Sequence, residues 1–126
     1  MPLCLIESTR IAVIAAQTFT LAWTHSVEKT GWEEDWRLVS GENVLELETA
    51  RIKGSGAGME PPDDARLVGG WWQYHPRDRR LHELRLANNG GAAGAWRICS
   101  DGSCRELPSS PGSAAEYVIR PCPPAP

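Results

Sequence analysis

Apolar and polar residues alternate along most of this chain, and this period of two constrains its fold more than any other feature. No segment of helical length carries a convincing apolar stripe at i, i+3 and i+4. The pattern predicts an all-β protein, an antiparallel β-sandwich or small β-barrel. Short turn signals separate the predicted strands, which are 3–7, 11–16, 18–27, 33–39, 43–52, 67–74, 80–87, 95–99, 104–107 and 115–120.

The length of the chain indicates one domain. At 126 residues it can bury one real core and is too short for two independent ones. We predict a single β domain over residues 1–120, followed by a proline-rich tail, PCPPAP, over residues 121–126. The tail is expected to be loose, since proline cannot donate to a strand ladder.

Charge and composition exclude several classes of function. A net charge of −3 provides no basic surface for nucleic acid. No apolar run approaches the roughly 18 residues of a membrane span, and Glu7 and Arg10 interrupt the N-terminal apolar segment, so no secretory leader is expected in the chain as written. His75 and His82 have no metal-ligand spacing and are expected at the surface, so we expect neither metal nor cofactor.

The four cysteines favour two disulfides. Asp101-Gly102 is a strong two-residue hairpin turn, and it sets Cys99 opposite Cys104 within disulfide range. Cys4 and Cys122 are left near the two ends, where a second bridge would tie down both termini. A four-cysteine zinc site is the weaker alternative because paired CxxC spacing is missing.

The expected disulfides and the missing secretory leader point to different cellular compartments. Two disulfides favour an oxidising compartment, so the protein is expected in the periplasm if its start has been placed too late. Otherwise four reduced cysteines in a cytoplasmic protein are expected.

The stretch WTHSVEKTGWEEDW predicts a hairpin with polar residues on its apolar face. A loop centred between Lys29 and Thr30 sets Trp23 opposite Trp36 and His25 opposite Glu34. A one-residue slip would undo this, because it moves every side chain to the other face.

The next turn, centred on Gly41-Glu42, extends this cluster. The same counting pairs Leu38 with Leu45, Trp36 with Leu47, Glu34 with Thr49 and Trp32 with Arg51, so that Arg51 lies diagonal to Glu34. The predicted cluster therefore contains His25, Glu34, Thr49 and Arg51. It is either a ligand pocket or a set of polar groups that satisfy one another.

A glycine-rich stretch, IKGSGAGMEPP, follows Arg51 directly. Gly54, Gly56 and Gly58 would let backbone N–H groups approach an anion closely, with help from Lys53. The stretch lacks the endings of the phosphate-binding and dinucleotide-binding motifs, and a flexible connection between strands is the alternative.

Longer segments of the chain resemble a known family. FTLAWTHSVEKTGWEEDW, LELETARIKGSGAGMEPP, GGWWQYHPRDRRLHELRLA and ICSDGSCREL are similar to the small bacterial family catalogued as domain of unknown function 1850. Members are often encoded beside TRAP-type transporters with a TAXI-type solute receptor, so the resemblance implies a transport-associated role. The matching motif residues, none with an assigned function, are His25, Ser26, Val27, Glu28, Glu34, Arg51, Gly54, Gly56, Ala57 and Gly58.

These observations predict a non-enzymatic accessory or binding protein of such a transporter. It would hold a small carboxylate, or a segment of a transporter component, near Arg51 and the glycine-rich stretch. One alternative is an enzyme that uses His25 and Glu34 as a proton-transfer pair. Another is a structural interaction module that docks through exposed tryptophans such as Trp71 or Trp72.

Overall fold

The computed structural model describes residues 2–7, 10–24, 31–39, 41–53, 64–87, 96–107 and 116–122. Twelve strands account for the regular structure of these residues. They are β1 (Leu3–Glu7), β2 (Arg10–Ile14), β3 (Thr18–Thr24), β4 (Gly31–Val39), β5 (Val44–Lys53), β6 (Arg66–Val68), β7 (Trp71–Tyr74), β8 (Arg80–Leu81), β9 (Leu84–Ala87), β10 (Arg97–Ser100), β11 (Ser103–Glu106) and β12 (Glu116–Pro121).

The strands form two open antiparallel sheets, which confirms the all-β prediction and the sandwich architecture. The small sheet has the order β2-β1-β12-β9, and the large sheet has the order β11-β10-β3-β4-β5-β7-β6, with β8 also paired to β5. One hydrophobic core lies between them. Its fully buried side chains come from both sheets: Leu3, Tyr117 and Ile119 from the small one, Leu21 and Leu45 from the large one.

The hairpin of β3 and β4 has a different register from the predicted one. Trp23 pairs with Trp32 and Trp36 with Phe19, so each residue of β3 lies opposite a β4 residue four positions earlier in the chain than predicted. The pairing of Trp23 with Trp36 was therefore wrong. The shift is even, so the faces are unchanged and the period of two cannot detect it. The observed register stacks the rings of Trp23 and Trp32, whose centroids are 5.8 Å apart.

A β-bulge in β5 divides the next strand pair into two registers. Trp36 pairs with Leu47 as predicted, but Asp35 pairs with Thr49, so Glu48 is the extra residue. Leu45 and Leu47 face the core before the bulge, whereas Ala50 and Ile52 face it afterwards. Because one added residue reverses every later side chain, Thr49 and Arg51 point away from the core.

Two predicted strands are each divided. The segment predicted as 67–74 is a hairpin of β6 and β7 that turns at Gly69-Gly70, where both residues have positive φ. The segment predicted as 80–87 changes sheet, since β8 pairs with β5 and β9 pairs with β12.

Both predicted cysteine pairs are joined in the structure. Cys99 lies opposite Cys104 and Ser100 opposite Ser103, with 4.0 Å between the Cα atoms of the cysteines. Cys4 is bonded to Cys122 with a Cα separation of 5.0 Å. Pro121 ends β12, and the backbone N–H of Cys122 donates to the carbonyl of Pro2 over 2.9 Å, so the two ends of the described chain lie side by side.

Candidate functional site: an acidic cleft on the outer face of the large sheet

Polar groups cross the outer face of the large sheet in one continuous row. Strand pairing sets Cys99 beside Thr20, Thr20 beside Asp35, and Asp35 beside Thr49. Directly paired residues point to the same face. The row therefore brings a disulfide, two hydroxyl groups and a carboxylate together on the side of the sheet that faces away from the core.

Arg51 anchors this row by binding two carboxylates. Its Nη1 and Nη2 donate to the two oxygens of Asp35 over 2.8 Å and 2.7 Å, and its Nε donates to Glu33 over 2.9 Å. The fork-like guanidinium suits a two-point contact of this kind. Hydrogen bonding to Asp35 raises the pKa of Arg51, and burial offsets this only in part.

The same contacts keep Asp35 ionised. Burial raises the pKa of Asp35, but hydrogen bonds from Arg51 and from the Thr20 hydroxyl, at 2.7 Å, outweigh it, so this pKa lies below its usual value. Asp35 is thus a fixed negative charge at neutral pH.

Further arginines hold the carboxylates nearer the bulge. Arg37 binds Glu46 and Glu48, and Arg80 binds Glu42 and Glu46. Hydrogen bonds from Arg37 and Arg80 lower the pKa of Glu46. These side chains are 25–53% exposed, so solvent screens each ion pair, which adds little stability but fixes where the charges lie.

Beside the row lies a cleft of about 440 Å³, which we call the outer cleft. The hairpin of β10 and β11 forms one wall, through its disulfide and its turn, and β3, β4 and β5 form the floor. Its polar lining residues are Thr18, Thr20, Asp35, Glu48, Arg51, Ser100 and Asp101. Three of these described residues are acids and one is a base, and that base is already held by Asp35. Among these lining residues the negative charges therefore outnumber the positive one, although Asp35 is paired with Arg51 and Glu48 with Arg37.

Glu34 lies on the opposite face of the sheet, toward the core, as predicted. Burial raises the pKa of Glu34, and the hydrogen bond from the Trp36 indole, at 3.1 Å, together with the charge of Arg79, offsets this only in part. On this core-facing side of the sheet, Ala50 lies between Glu34 and Tyr74, because it pairs with both of them. Burial and the charge of Glu34 raise the pKa of Tyr74.

The structure separates the residues of the predicted cluster. Leu21, not His25, is opposite Glu34, and His25 itself lies outside the described residues. Thr49 pairs with Asp35 instead of Glu34, and Arg51 pairs with Glu33 instead of Trp32. The predicted neighbours of Glu34 were wrong because the hairpin is shifted and the bulge reverses Thr49 and Arg51.

The remaining predicted site residues are spread more widely. Gly54, Gly56 and Gly58 lie outside the described residues, whereas the Lys53 ammonium group lies 5.1 Å from the centre of the Trp71 ring. His75 and His82 are both exposed. His75 Nδ1 lies 3.1 Å from the Glu48 carbonyl and 3.3 Å from the Thr49 hydroxyl, so it covers the bulge.

The predicted cluster did not include Glu33, Asp35, Thr20, Glu48 or Asp101. A signal for the first two is present in the sequence: in VLELETARIK the core-facing positions change from odd numbers, Leu45 and Leu47, to even numbers, Ala50 and Ile52. That change marks a bulge and places Arg51 on the face of Glu33 and Asp35. Asp101 lines the outer cleft because β10 pairs with β3, and no local sequence pattern predicts that pairing.

In the described part of the chain, no group of three or more His, Cys, Asp or Glu side chains is placed to hold a metal ion. Nor does that part of the chain contain a helix that is long and apolar enough to cross a membrane.

Comparison with known proteins places the chain in a family. No curated protein and no solved structure matches it significantly. A family model described as a domain of unknown function, DUF1850, matches residues 19–107. That span runs from β3 to the residue after β11 and includes every strand of the outer cleft. The chain therefore belongs to the DUF1850 family.

Proposed function

We propose that this protein is a non-enzymatic accessory protein of a TRAP-type transporter with a TAXI-type receptor, and that it binds a basic segment of a transporter component in the outer cleft. The observation that supports this most is the charge of the lining, where three acids, Asp35, Glu48 and Asp101, outnumber the one base, Arg51, even though Asp35 is paired with Arg51 and Glu48 with Arg37. An approaching lysine or arginine gains attraction from carboxylates that are fixed in place before it arrives.

A small carboxylate is the less supported ligand. It would have to displace Asp35 from two hydrogen bonds to Arg51 and would meet the negative charges of Glu48 and Asp101. Like-charge contacts of this kind cost binding energy. An enzyme that uses His25 and Glu34 is also less supported, since Leu21 occupies the position opposite Glu34.

Titration with model ligands tests the charge preference. We expect tetralysine to shift the backbone NMR signals of Asp35, Glu48 and Asp101 in the full-length protein, and citrate to leave them unchanged. The tetralysine shifts should weaken as salt is added, because the cleft is open to solvent. Citrate shifts centred on Arg51, with no response to tetralysine, would contradict the proposed ligand class.

A matched pair of variants tests the location. Glu48 and Glu116 are both 44% exposed and both bind an arginine, but Glu48 lines the outer cleft and Glu116 lies in the small sheet. Glu48→Gln should weaken tetralysine binding about threefold or more, whereas Glu116→Gln should leave it unchanged. Equal weakening by both would show that binding follows net charge and not the cleft.

The partner is tested by co-purification. Full-length protein on a resin should retain the purified TAXI-type receptor or the transporter membrane subunits, and Glu48→Gln should retain less than Glu116→Gln. Failure to retain any component, with tetralysine binding intact, would contradict the transporter role and leave the cleft assignment standing.

A further inference from the structure

The two sheets leave a gap where β2, at the end of the small sheet, faces β11, at the end of the large sheet. Two grooves, of about 490 Å³ and 420 Å³, lie along this gap. Ile11 and Ala12 line the larger groove, Val13 and Ile14 line the smaller one, and Arg105 lines both. The two therefore adjoin at Arg105 and together follow β2 along its length. We call them the edge groove.

Much of the lining of the edge groove is apolar. Ala12 from the small sheet packs against the core, and Ile98 and Leu107 from the large sheet are part of it. Ile11 and Val13, at the rim, are 61% and 62% exposed. A guest with an apolar chain would remove part of this surface from water, which favours its binding.

Arg105 directs a charge into this apolar groove. It pairs with Ile98, a core residue that is 3% exposed, so both side chains lie on the core-facing side of their hairpin. In the described part of the chain, the guanidinium group of Arg105 makes no ion pair and no side-chain hydrogen bond. The groove therefore contains a cation whose hydrogen-bond donors are open to a guest.

The other charged residues of the lining lie opposite residues of the other sign. Glu7 is directly paired with Arg10 across β1 and β2, and Glu106 is directly paired with Arg97 on the outer face of the large sheet. Opposite charges in directly paired positions attract each other. Glu7, Arg10 and Glu106 line the larger groove alone. Among the described residues of the smaller groove, Arg105 carries the single charge.

Two hydroxyl groups lie beside Arg105 in the smaller groove. Ser100 and Ser103 are directly paired and follow the alternation of Ile98 and Arg105, so they point to the same side of the hairpin. A guanidinium group binds a carboxylate through two parallel hydrogen bonds, and a serine hydroxyl can donate to the same group. One open cation matches the single charge of a carboxylate better than the nearly double charge of a phosphate monoester.

We propose that the edge groove binds a single-chain alkyl carboxylate, with its head group at Arg105 and its chain along Ile11 and Ala12. The apolar rim and the open cation are both explained by a guest of this kind. A cationic amphiphile offers the same chain but meets Arg105 as a like charge. The site lies on the other side of the β10-β11 hairpin from the outer cleft, and it does not depend on the transporter role proposed above.

Titration of the full-length protein with decanoate tests the ligand class. Decanoate should bind saturably and shift the backbone NMR signals of Ala12, Ser103 and Arg105, whereas decyltrimethylammonium should not. From hexanoate to decanoate, each added methylene should strengthen binding about two- to fourfold, because part of it leaves water. The proposal is overturned if decanoate shows no saturable binding, if both amphiphiles bind equally, or if phosphatidylglycerol vesicles bind and decanoate does not.

A matched pair of arginine variants tests the location. Arg105 and Arg97 are exposed residues of the same hairpin, but Arg105 faces the edge groove and Arg97 lies on the outer face. Arg105→Gln should weaken decanoate binding about tenfold or more, since it removes a charged hydrogen-bond donor, and Arg97→Gln should leave it unchanged. Equal weakening by the two variants would show that decanoate follows net charge, and undiminished binding to Arg105→Gln would show that the head group lies elsewhere. Either result would overturn the proposal.

Discussion

At the residue scale, the two faces of the large sheet place acids in opposite environments. Asp35 is held ionised by Arg51 and Thr20, whereas Glu34, its neighbour in β4, is directed toward the core. Neighbouring strand residues point to opposite sides. Asp35 therefore forms an ion pair on the outer face, whereas the adjacent Glu34 is a partly desolvated carboxyl group on the core-facing side. The alternation in GWEEDWRLV shows this difference in the sequence itself.

The raised pKa of Glu34 has a consequence for stability. Because the folded state holds this proton more tightly than the unfolded chain, the contribution of Glu34 is most favourable below the usual pKa of 4.5 and is lost as pH rises through the raised value. Glu34→Gln keeps an oxygen that accepts from Trp36 but has no charge to desolvate. It should raise the free energy of unfolding at pH 7 by up to about 1 kcal/mol.

Urea unfolding of both proteins from pH 3.5 to pH 7.5 measures this effect. The advantage of Glu34→Gln should shrink as pH falls through the raised pKa towards 4.5 and should be absent well below 4.5. Glu116→Gln, which removes an exposed carboxylate bonded to Arg85, should show no such advantage. A Glu34→Gln variant that is less stable than the parent at pH 7 would show that the charged form is favoured where it lies.

At the element scale, alternation and turn chemistry predicted most of the strands. β1 lies where it was predicted, and Asp101-Gly102 fixed the register of β10 and β11, including the pairing of Cys99 with Cys104. The β4-β5 pairing was also right as far as Leu47. Each of these depends on residues close together in the chain, where a tight turn leaves one register.

Long connections and bulges limited the rest of the prediction. Between Thr24 and Gly31 the connection is long enough to permit several even registers, and alternation cannot distinguish them. Glu48 adds one residue to β5 without any glycine to mark it. Gly69-Gly70, by contrast, is a recognisable hairpin signal that lies inside the single strand predicted over residues 67–74. The predicted site residues differ from the observed ones because the site depends on the register of β3 with β4 and on the bulge at Glu48.

At the scale of the whole molecule, the Cys4–Cys122 bond joins the two ends of the described chain across a sequence separation of 118. A loop of this length loses much conformational entropy when it is closed in the unfolded state, which stabilises the fold by about 4–5 kcal/mol in the chain-entropy account. β1 and β12 are neighbours in the small sheet, so the bond also fastens the centre of that sheet.

Replacing both cysteines with alanine tests this contribution. Cys4→Ala with Cys122→Ala should lower the free energy of unfolding by about 2–5 kcal/mol. Cys99→Ala with Cys104→Ala should cost less, since that bond spans a separation of 5 in a hairpin with a favourable turn. Guanidinium unfolding of the two double variants beside the parent gives the order, and a larger loss for the hairpin pair would contradict it.

The candidate site forms only because the bulge at Glu48 turns Arg51 to the outer face and pairs it with Asp35. Double-mutant cycles measured by denaturant unfolding test this directly, using Arg51→Leu with Asp35→Asn and, in parallel, Arg51→Leu with Glu34→Gln. We predict a coupling of about 1–2 kcal/mol between Arg51 and Asp35 and none between Arg51 and Glu34. Coupling of Arg51 to Glu34, with none to Asp35, would place Arg51 on the core-facing side and contradict the account.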